Sequence, residues 1–358
     1  MPEWILYGAN GYTGELIARE AVSRGLRPIL AGRNGEVISR LASGLGCAHR
    51  VFGLGNVAEA ARGLTGARAV LHCAGPFAAT AEPMMDACLQ AGVNYLDITG
   101  EIQVIEAGHA RHEKARQRGI AILPAVGFDV VPSDCLSAML AERLPGATHL
   151  ELAFALTGGV SPGTAKTSLE SLPGGGRVRR NGQIDRVPAA FKTMQIPFRR
   201  GRHWAMTIPW GDVASAFYST GIPNIEVYMA LPHKQIVWAS RLRPLLPLLG
   251  FGPVQSLARR YITRKITGPT ADERHSQRGS FWGRVSRASG ECASATLETP
   301  SGYQLTVLTS LAALDKVLAG HVAPGFATPS LAFGREFILS IPDCDLQWGE
   351  TTLSQANR

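Results

Sequence analysis

Gly8, Gly11 and Gly14 directly follow the apolar run Trp4-Ile5-Leu6-Tyr7 and open a helix-like stretch, in the order Gly8-Ala9-Asn10-Gly11-Tyr12-Thr13-Gly14. A turn that seats a pyrophosphate needs a residue free to take unusual φ, a backbone bare enough for close approach, and tight packing of helix on strand. Glycine meets all three needs. The helix start adds unpaired N–H groups and a partial positive charge. Placed after a first strand, Gly8, Asn10, Gly11, Tyr12, Thr13 and Gly14 form a candidate dinucleotide cradle. An ordinary glycine-rich turn is the competing reading, and the succession of strand, turn and helix favours the cradle. The G-x-x-G-x-x-G spacing departs from G-x-G-x-x-G and is one that NADP-dependent reductases often carry.

Nineteen residues beyond Gly14 the chain reads Ala31-Gly32-Arg33-Asn34. This is the end of a second predicted strand, where an NAD enzyme places a carboxylate on the ribose 2′-hydroxyl. Arg33 stands there instead. A guanidinium holds a 2′-phosphate through charge-assisted hydrogen bonds worth roughly 1.5–3 kcal/mol each, so Gly32, Arg33 and Asn34 point to NADP. Three more loops fall at the carboxyl ends of predicted strands, where open α/β sheets bind ligands. They are Ala74-Gly75-Pro76-Phe77, Thr99-Gly100-Glu101 and Val126-Gly127-Phe128-Asp129. Ala74, Gly75, Pro76, Phe77, Gly100, Gly127 and Phe128 are expected along the cofactor.

The elements that must position these residues follow from periodicity. Strands are predicted at Trp4 to Tyr7, Pro28 to Ala31, His49 to Phe52, Ala69 to Cys73, Tyr95 to Ile98 and Ile120 to Leu123, alternating with helix-length segments. All fit one doubly wound parallel sheet. Helices over Gly14 to Arg24, Ala81 to Ala91 and Ile102 to Arg118 each close on a glycine, at Gly25, Gly92 and Gly119. A helix from Ser133 to Leu144 leads to Pro145-Gly146, where a second, mixed α+β region starts. There Leu150 to Leu156 alternates as a strand, Pro162 to Leu172 reads as a helix, and Asn181-Gly182 signals a tight hairpin. Leu308 to Leu318 reads as an amphipathic helix ending near Gly320.

Several blocks resemble the saccharopine dehydrogenase NADP-binding family, and within it the branch of saccharopine dehydrogenase-like oxidoreductases and trans-acting enoyl reductases. They are Gly8 to Gly14, Ala31 to Asn34, Ala74 to Phe77, Tyr95 to Glu101 and Gly127 to Asp134, then Ile208 to Asp212, Ser219 to Asn224 and Pro324 to Ser330. The resemblance implies an α/β fold: a Rossmann-type domain with NADP, a second domain inserted before a returning C-terminal helix, and hydride transfer to a polarised double bond. We therefore expect an NADP-binding domain over 1–146, a substrate or dimerisation domain over 147–307, and a returning helix and tail over 308–358. The acceptor is expected to be the C=C of an enoyl lipid or polyketide intermediate. The C=N of an opine-type reduction, or a non-catalytic NADP-binding adaptor at a membrane, are the alternatives.

Hydride transfer needs a proton donor or polarising group, and Asp129, Glu101, Lys166 and Tyr218 are the candidates. Each has a plain structural reading: a turn aspartate, a turn glutamate, a solvated lysine, and a packed strand tyrosine. Gly159-Val160-Ser161-Pro162-Gly163 matches the hydrolase elbow G-x-S-x-G, but Pro162 has no N–H for an oxyanion. His109 and His112 read as surface residues of a charged helix, and no metal is expected.

Composition sets the outer bounds. The chain has 358 residues, 45% apolar and 18% charged, which excludes general disorder and favours about two domains. Its 36 basic and 28 acidic residues leave a net charge of +8, suited to an anionic partner. Arginine clusters without a nucleic-acid motif argue against nucleic acid. Prolines and apolar residues among the basic positions of 234–266 suggest a lid, an interface between two copies, or a peripheral membrane contact. Six scattered cysteines without a C-x-x-C pair fit a reducing cytoplasm.

Overall fold

The computed structural model describes residues 3–156, 174–243 and 277–349, with isolated positions at 169, 255–256, 260–261, 270, 272–273 and 352–353. Lys166, the Gly159 to Gly163 motif and nearly all of the predicted helix from Pro162 to Leu172 lie outside the described residues, as does most of 244–266. The chain forms two compact units, 1–131 with 303–334 and 132–302 with 335–358.

In the first unit β1 (Trp4–Tyr7), β2 (Ile29–Gly32), β3 (His49–Val51), β4 (Ala69–His72), β5 (Asn94–Asp97) and β6 (Ala121–Leu123) sit within about a residue of expectation. They alternate with α1 (Tyr12–Ser23), α2 (Gly35–Leu45), α3 (Val57–Leu64) and α4 (Phe77–Ala91), followed by α5 (Ile102–Ala110) and α6 (His112–Arg118). The strands are parallel in the order β3-β2-β1-β4-β5-β6, the doubly wound order. Every residue of β1, β2 and β4 is buried, because helices cover both faces and the runs are apolar but for His72 at the end of β4. Gly92 and Gly119 take the left-handed conformation after α4 and α6, and Gly25 has φ +78° after α1.

Two features differ from expectation. The predicted helix over 102–118 breaks at Arg111, whose guanidinium pairs with Asp86 at 2.7 Å and Glu82 at 3.0 Å. A seventh strand, Gly325–Phe326, lies parallel to β6, and two residues are too few to show a period. His112 holds it: the Phe326 amide donates to His112 Nδ1 at 3.1 Å, so this half-exposed histidine also ties the strand to α6. His109 is exposed, with its ring edge-on to Phe326.

The second unit carries a mixed sheet. Its strands are β7 (His149–Leu156), β8 (Gly176–Arg180), β9 (Gln183–Val187), β10 (Thr193–Phe198), β11 (Gly201–Thr207), β12 (Asn224–Ala230), β13 (Arg278–Ser286) and β14 (Glu291–Pro300). The order is β10-β11-β12-β7-β13-β14, with Asp345–Trp348 beyond β14 and the β8–β9 hairpin beside β12. Only β12 and β7 pair in parallel among these neighbours. The hairpin turns on Asn181 at φ +47° and Gly182 at φ +80°, the type I′ geometry that Asn-Gly favours.

The division between units falls at Val131 and Pro132, not near 146. The reason is packing: α7 (Val131–Arg143) lies on β13, where a Cβ on Gly283 would come within 2.6 Å of Leu140 and 3.2 Å of Leu136. The C-terminal stretch is also divided. The helix Gly302–Leu318 and the segment to Gly334 belong to the first unit, whereas 335–358 joins the second because Asp345–Trp348 pairs antiparallel with β14.

Candidate functional site

The glycine turn packs closely against its neighbours. Gly8 has φ +79°, and a Cβ there would sit 2.7 Å from the Ala74 nitrogen and 2.8 Å from its Cβ. A Cβ on Gly14 would lie 2.3 Å from the Gly8 carbonyl oxygen. The first glycine therefore admits the loop after β4, and the third lets α1 close on β1. Gly11 is the N-cap of α1 and supplies no side-chain cap, which leaves the helix start to backbone donors. Asn10 is exposed, and its Oδ1 would be 3.3 Å from a Cβ on Gly32. Tyr12 and Thr13 are half-buried.

At the end of β2 the roles of neighbours separate. Asn34 is the N-cap of α2, its side chain accepting from the Val37 amide at 3.3 Å. Arg33 is exposed, and among the described residues its guanidinium has no carboxylate or carbonyl partner. Its charge acts on the buried hydroxyl of Tyr7, against the burial that raises that group.

The loop after β4 turns through a cis Gly75–Pro76 bond and enters α4 at Phe77. Pro76, the N-cap, has no side-chain acceptor, and Glu101 from the next loop supplies one. Its Oε1 accepts from the Phe77 amide at 3.0 Å and its Oε2 from the Ala78 amide at 2.8 Å. Both oxygens of this candidate acid thus serve a helix start, where negative charge is stabilised.

Asp129 is placed differently. It is half-buried at the end of the loop after β6, and a Cβ on Gly100 would be 3.0 Å from its Oδ2. Burial first, and the nearby Glu101 carboxylate second, raise its pKa to about 7. Its loop is fixed from two sides. Asp97 Oδ1 accepts from Thr99 N at 2.9 Å and Ala125 N at 2.7 Å, while its other oxygen accepts from the Tyr95 hydroxyl at 2.5 Å. Thr306 of the returning helix accepts from the Phe128 amide at 3.1 Å and lies against Gly127. Tyr303 of the same helix packs edge-on to Tyr12, with ring centroids 5.0 Å apart.

These contacts close a ring along the carboxyl edge of the sheet: Gly8 to Ala74, Phe77 to Glu101, Gly100 to Asp129, Phe128 to Thr306, and Tyr303 to Tyr12. Asp97, Thr306 and Tyr303 were not among the sequence candidates. Asp97 carried no spacing signal of its own, and Thr306 acts across 178 residues. Tyr218 is on a helix and not on a strand. It lies half-buried in the second unit on α8 (Asp212–Thr220), beside Phe217.

Residues 4–123 match the family model of the saccharopine dehydrogenase NADP binding domain. The first unit carries the NADP-binding domain of the saccharopine dehydrogenase family. The chain is 33% identical over 150 residues to a saccharopine dehydrogenase-like oxidoreductase of Mus musculus, covering 36% of this chain and 35% of that protein. It is 34% identical over 139 residues to a trans-acting enoyl reductase of Mycobacterium bovis, covering 36% and 33%. The matched region thus spans about a third of each relative. Among solved structures, apo saccharopine dehydrogenase (L-Glu forming) from Saccharomyces cerevisiae aligns over 98% of this chain and 100% of that one, with a TM-score of 0.66 and 9% identity. That likeness is one of fold. The saccharopine-type domain and the ring agree on the cofactor: bare backbone at Gly8 and Gly14, an α1 start without a side-chain cap, and an arginine in place of an acid after β2 all fit NADP.

Proposed function

We propose that the chain is an NADPH-dependent reductase acting on a polarised double bond, the C=C of an enoyl substrate. Gly8 to Gly14 and the start of α1 would hold the pyrophosphate, and Arg33 the 2′-phosphate. Ala74 to Phe77, Gly100, Gly127 and Phe128 would line the remainder. Bound there, NADPH supplies a hydride. The chain contributes the proton: the Asp129 carboxyl keeps a proton on its oxygen up to about pH 7, the poise a general acid needs near neutrality.

That acid is the observation carrying the reading. The Glu101 carboxylate also bears on the acceptor, since a negative charge at this edge disfavours the carboxylates of an opine-type imine. The name of the mycobacterial relative adds support for an enoyl acceptor. The test is NADPH consumption by the purified protein against a panel of acyl-chain enoyl thioesters and of keto acids mixed with amines. Turnover confined to the keto-acid arm would replace C=C by C=N, and none in either arm would refute the reductase. Arg33→Ala is expected to weaken NADPH binding by roughly tenfold or more, from the loss of at least one charge-assisted bond, while NADH binding stays nearly unchanged. Equal effects on both coenzymes would remove the 2′-phosphate role.

A further inference from the structure

A short helix of the second unit, α9 (His233–Arg241), displays an exposed apolar and basic surface. The helix is fastened at both ends. The His233 ring packs on Trp204 with centroids 4.7 Å apart, and the Leu231 amide just before it donates to the Trp204 carbonyl at 3.0 Å. Beyond the last turn, Arg243 donates to the Ala190 carbonyl at 2.8 Å. Ile236 is 3% exposed and faces inward.

Opposite Ile236, positions i, i+4, i+7 and i+8 of a helix fall in one stripe, and here they are Lys234, Trp238, Arg241 and Leu242. Trp238 is 62% exposed and Leu242 42%, and Lys234 and Arg241 are exposed as well. From Leu231 to Arg243 there is no acidic residue, and among the described residues neither Lys234 nor Arg241 has a carboxylate partner. An indole this exposed, beside two cations that have no carboxylate partner among the described residues, is costly to keep unless something covers it.

We propose that this stripe docks on an anionic phospholipid surface. Trp238 and Leu242 would enter the boundary between headgroups and acyl chains, where an amphipathic indole is favoured. Lys234 and Arg241 would keep their charges at the level of the lipid phosphates, with their stems along the apolar face. The charge pattern argues against a second copy of the chain, because a two-fold contact of stripe on stripe would oppose cations to cations. The proposal is independent of the reaction assigned to the first unit.

The experiment uses the full chain with vesicles of phosphatidylcholine alone or mixed with phosphatidylglycerol. Wild type is expected to sediment with the mixed vesicles at low salt, to be released by high salt, and to ignore phosphatidylcholine alone. Trp238→Ser and, separately, the pair Lys234→Glu and Arg241→Glu should each lower the partition coefficient by roughly tenfold or more. Circular dichroism and NADPH binding equal to wild type would show that the variants fold. Brominated acyl chains should quench an emission component present in wild type and missing in Trp238→Phe. Failure of wild type to sediment with mixed vesicles overturns the proposal, as does sedimentation of both variants at the wild-type level. Self-association that Trp238→Ser abolishes, without vesicle binding, would assign the stripe to a second copy and overturn it too.

Discussion

His72 is the last residue of β4 and has no solvent exposure. Its ring lies among Tyr7, Phe77 and Tyr95, at centroid distances of 5.5, 5.4 and 6.2 Å. Nε2 meets the Thr80 hydroxyl at 3.1 Å, and that hydroxyl donates to the Ala74 carbonyl at 2.7 Å, so the imidazole is the donor to Thr80. Nδ1 then carries a lone pair with no hydrogen-bond partner in the core. Burial lowers the pKa from 6.5 to about 3. The unfolded chain therefore takes up this proton first, and stability falls as pH drops from 6.5 towards 3.

At about pH 5 the unfolded state gains about 2 kcal/mol from protonating this one histidine, against almost nothing at about pH 7.5. His72→Phe places an apolar ring in the same aromatic surroundings and removes the titration. Hydrogen exchange read by mass spectrometry on peptides covering β4 and β5 gives the opening free energy of this part of the sheet. Between the two pH values wild type should lose about 2 kcal/mol more than the variant, whatever the constant offset of the substitution. Asp97 and Asp129, whose raised pKa values act in the opposite direction over the same range, are present in both proteins and cancel in the difference. Equal losses in the two proteins would mean that the folded sheet accepts the imidazolium, with Asp97 opposite it in register on β5 as the group able to hold it, and the burial argument would fail.

Gly14→Ala puts a methyl 2.3 Å from the Gly8 carbonyl oxygen; it should shift α1 from β1, cost about 1–3 kcal/mol in denaturant titrations, and abolish NADPH binding measured by calorimetry. Glu101→Gln should cost about 1 kcal/mol by weakening the charged cap of α4. By removing a negative charge from beside Asp129 it should also move the alkaline limb of the pH–rate profile downward, and an unmoved limb would detach that limb from Asp129. Asp129→Asn should slow turnover at least a hundredfold while leaving the NADPH dissociation constant within about twofold, measured by steady-state rates and calorimetry side by side.

The nucleotide-binding half of the molecule was legible because its chemistry is local. A buried parallel strand must be apolar at every position, a helix end needs a residue of positive φ, and a backbone that touches phosphate must be bare. Each of these leaves its mark within a few residues, as in Trp4 to Tyr7, Gly92, and Gly8 to Gly14. The substitution of Arg33 for an acid is equally local, and so is the Asn181-Gly182 turn. Asp129 and Glu101 were expected at the sheet edge because each lies in a loop that follows a predicted strand.

What separated those two carboxyls was tertiary. Glu101 is spent on the amides of α4 only because Pro76 cannot cap its own helix, and Asp129 stays half-buried beside it, so the same charge that caps one element raises the pKa of the other. The burial that silences His72, the grip of Asp97 on two loops, and the hold of Thr306 on a loop 178 residues earlier depend on distances between strands and on a helix that returns from the far end of the chain. So does the packing of α7 on Gly283 of β13. Spacing along a chain encodes backbone conformation and sidedness. It does not encode which distant side chain arrives, and desolvation and Coulomb energy depend on that arrival.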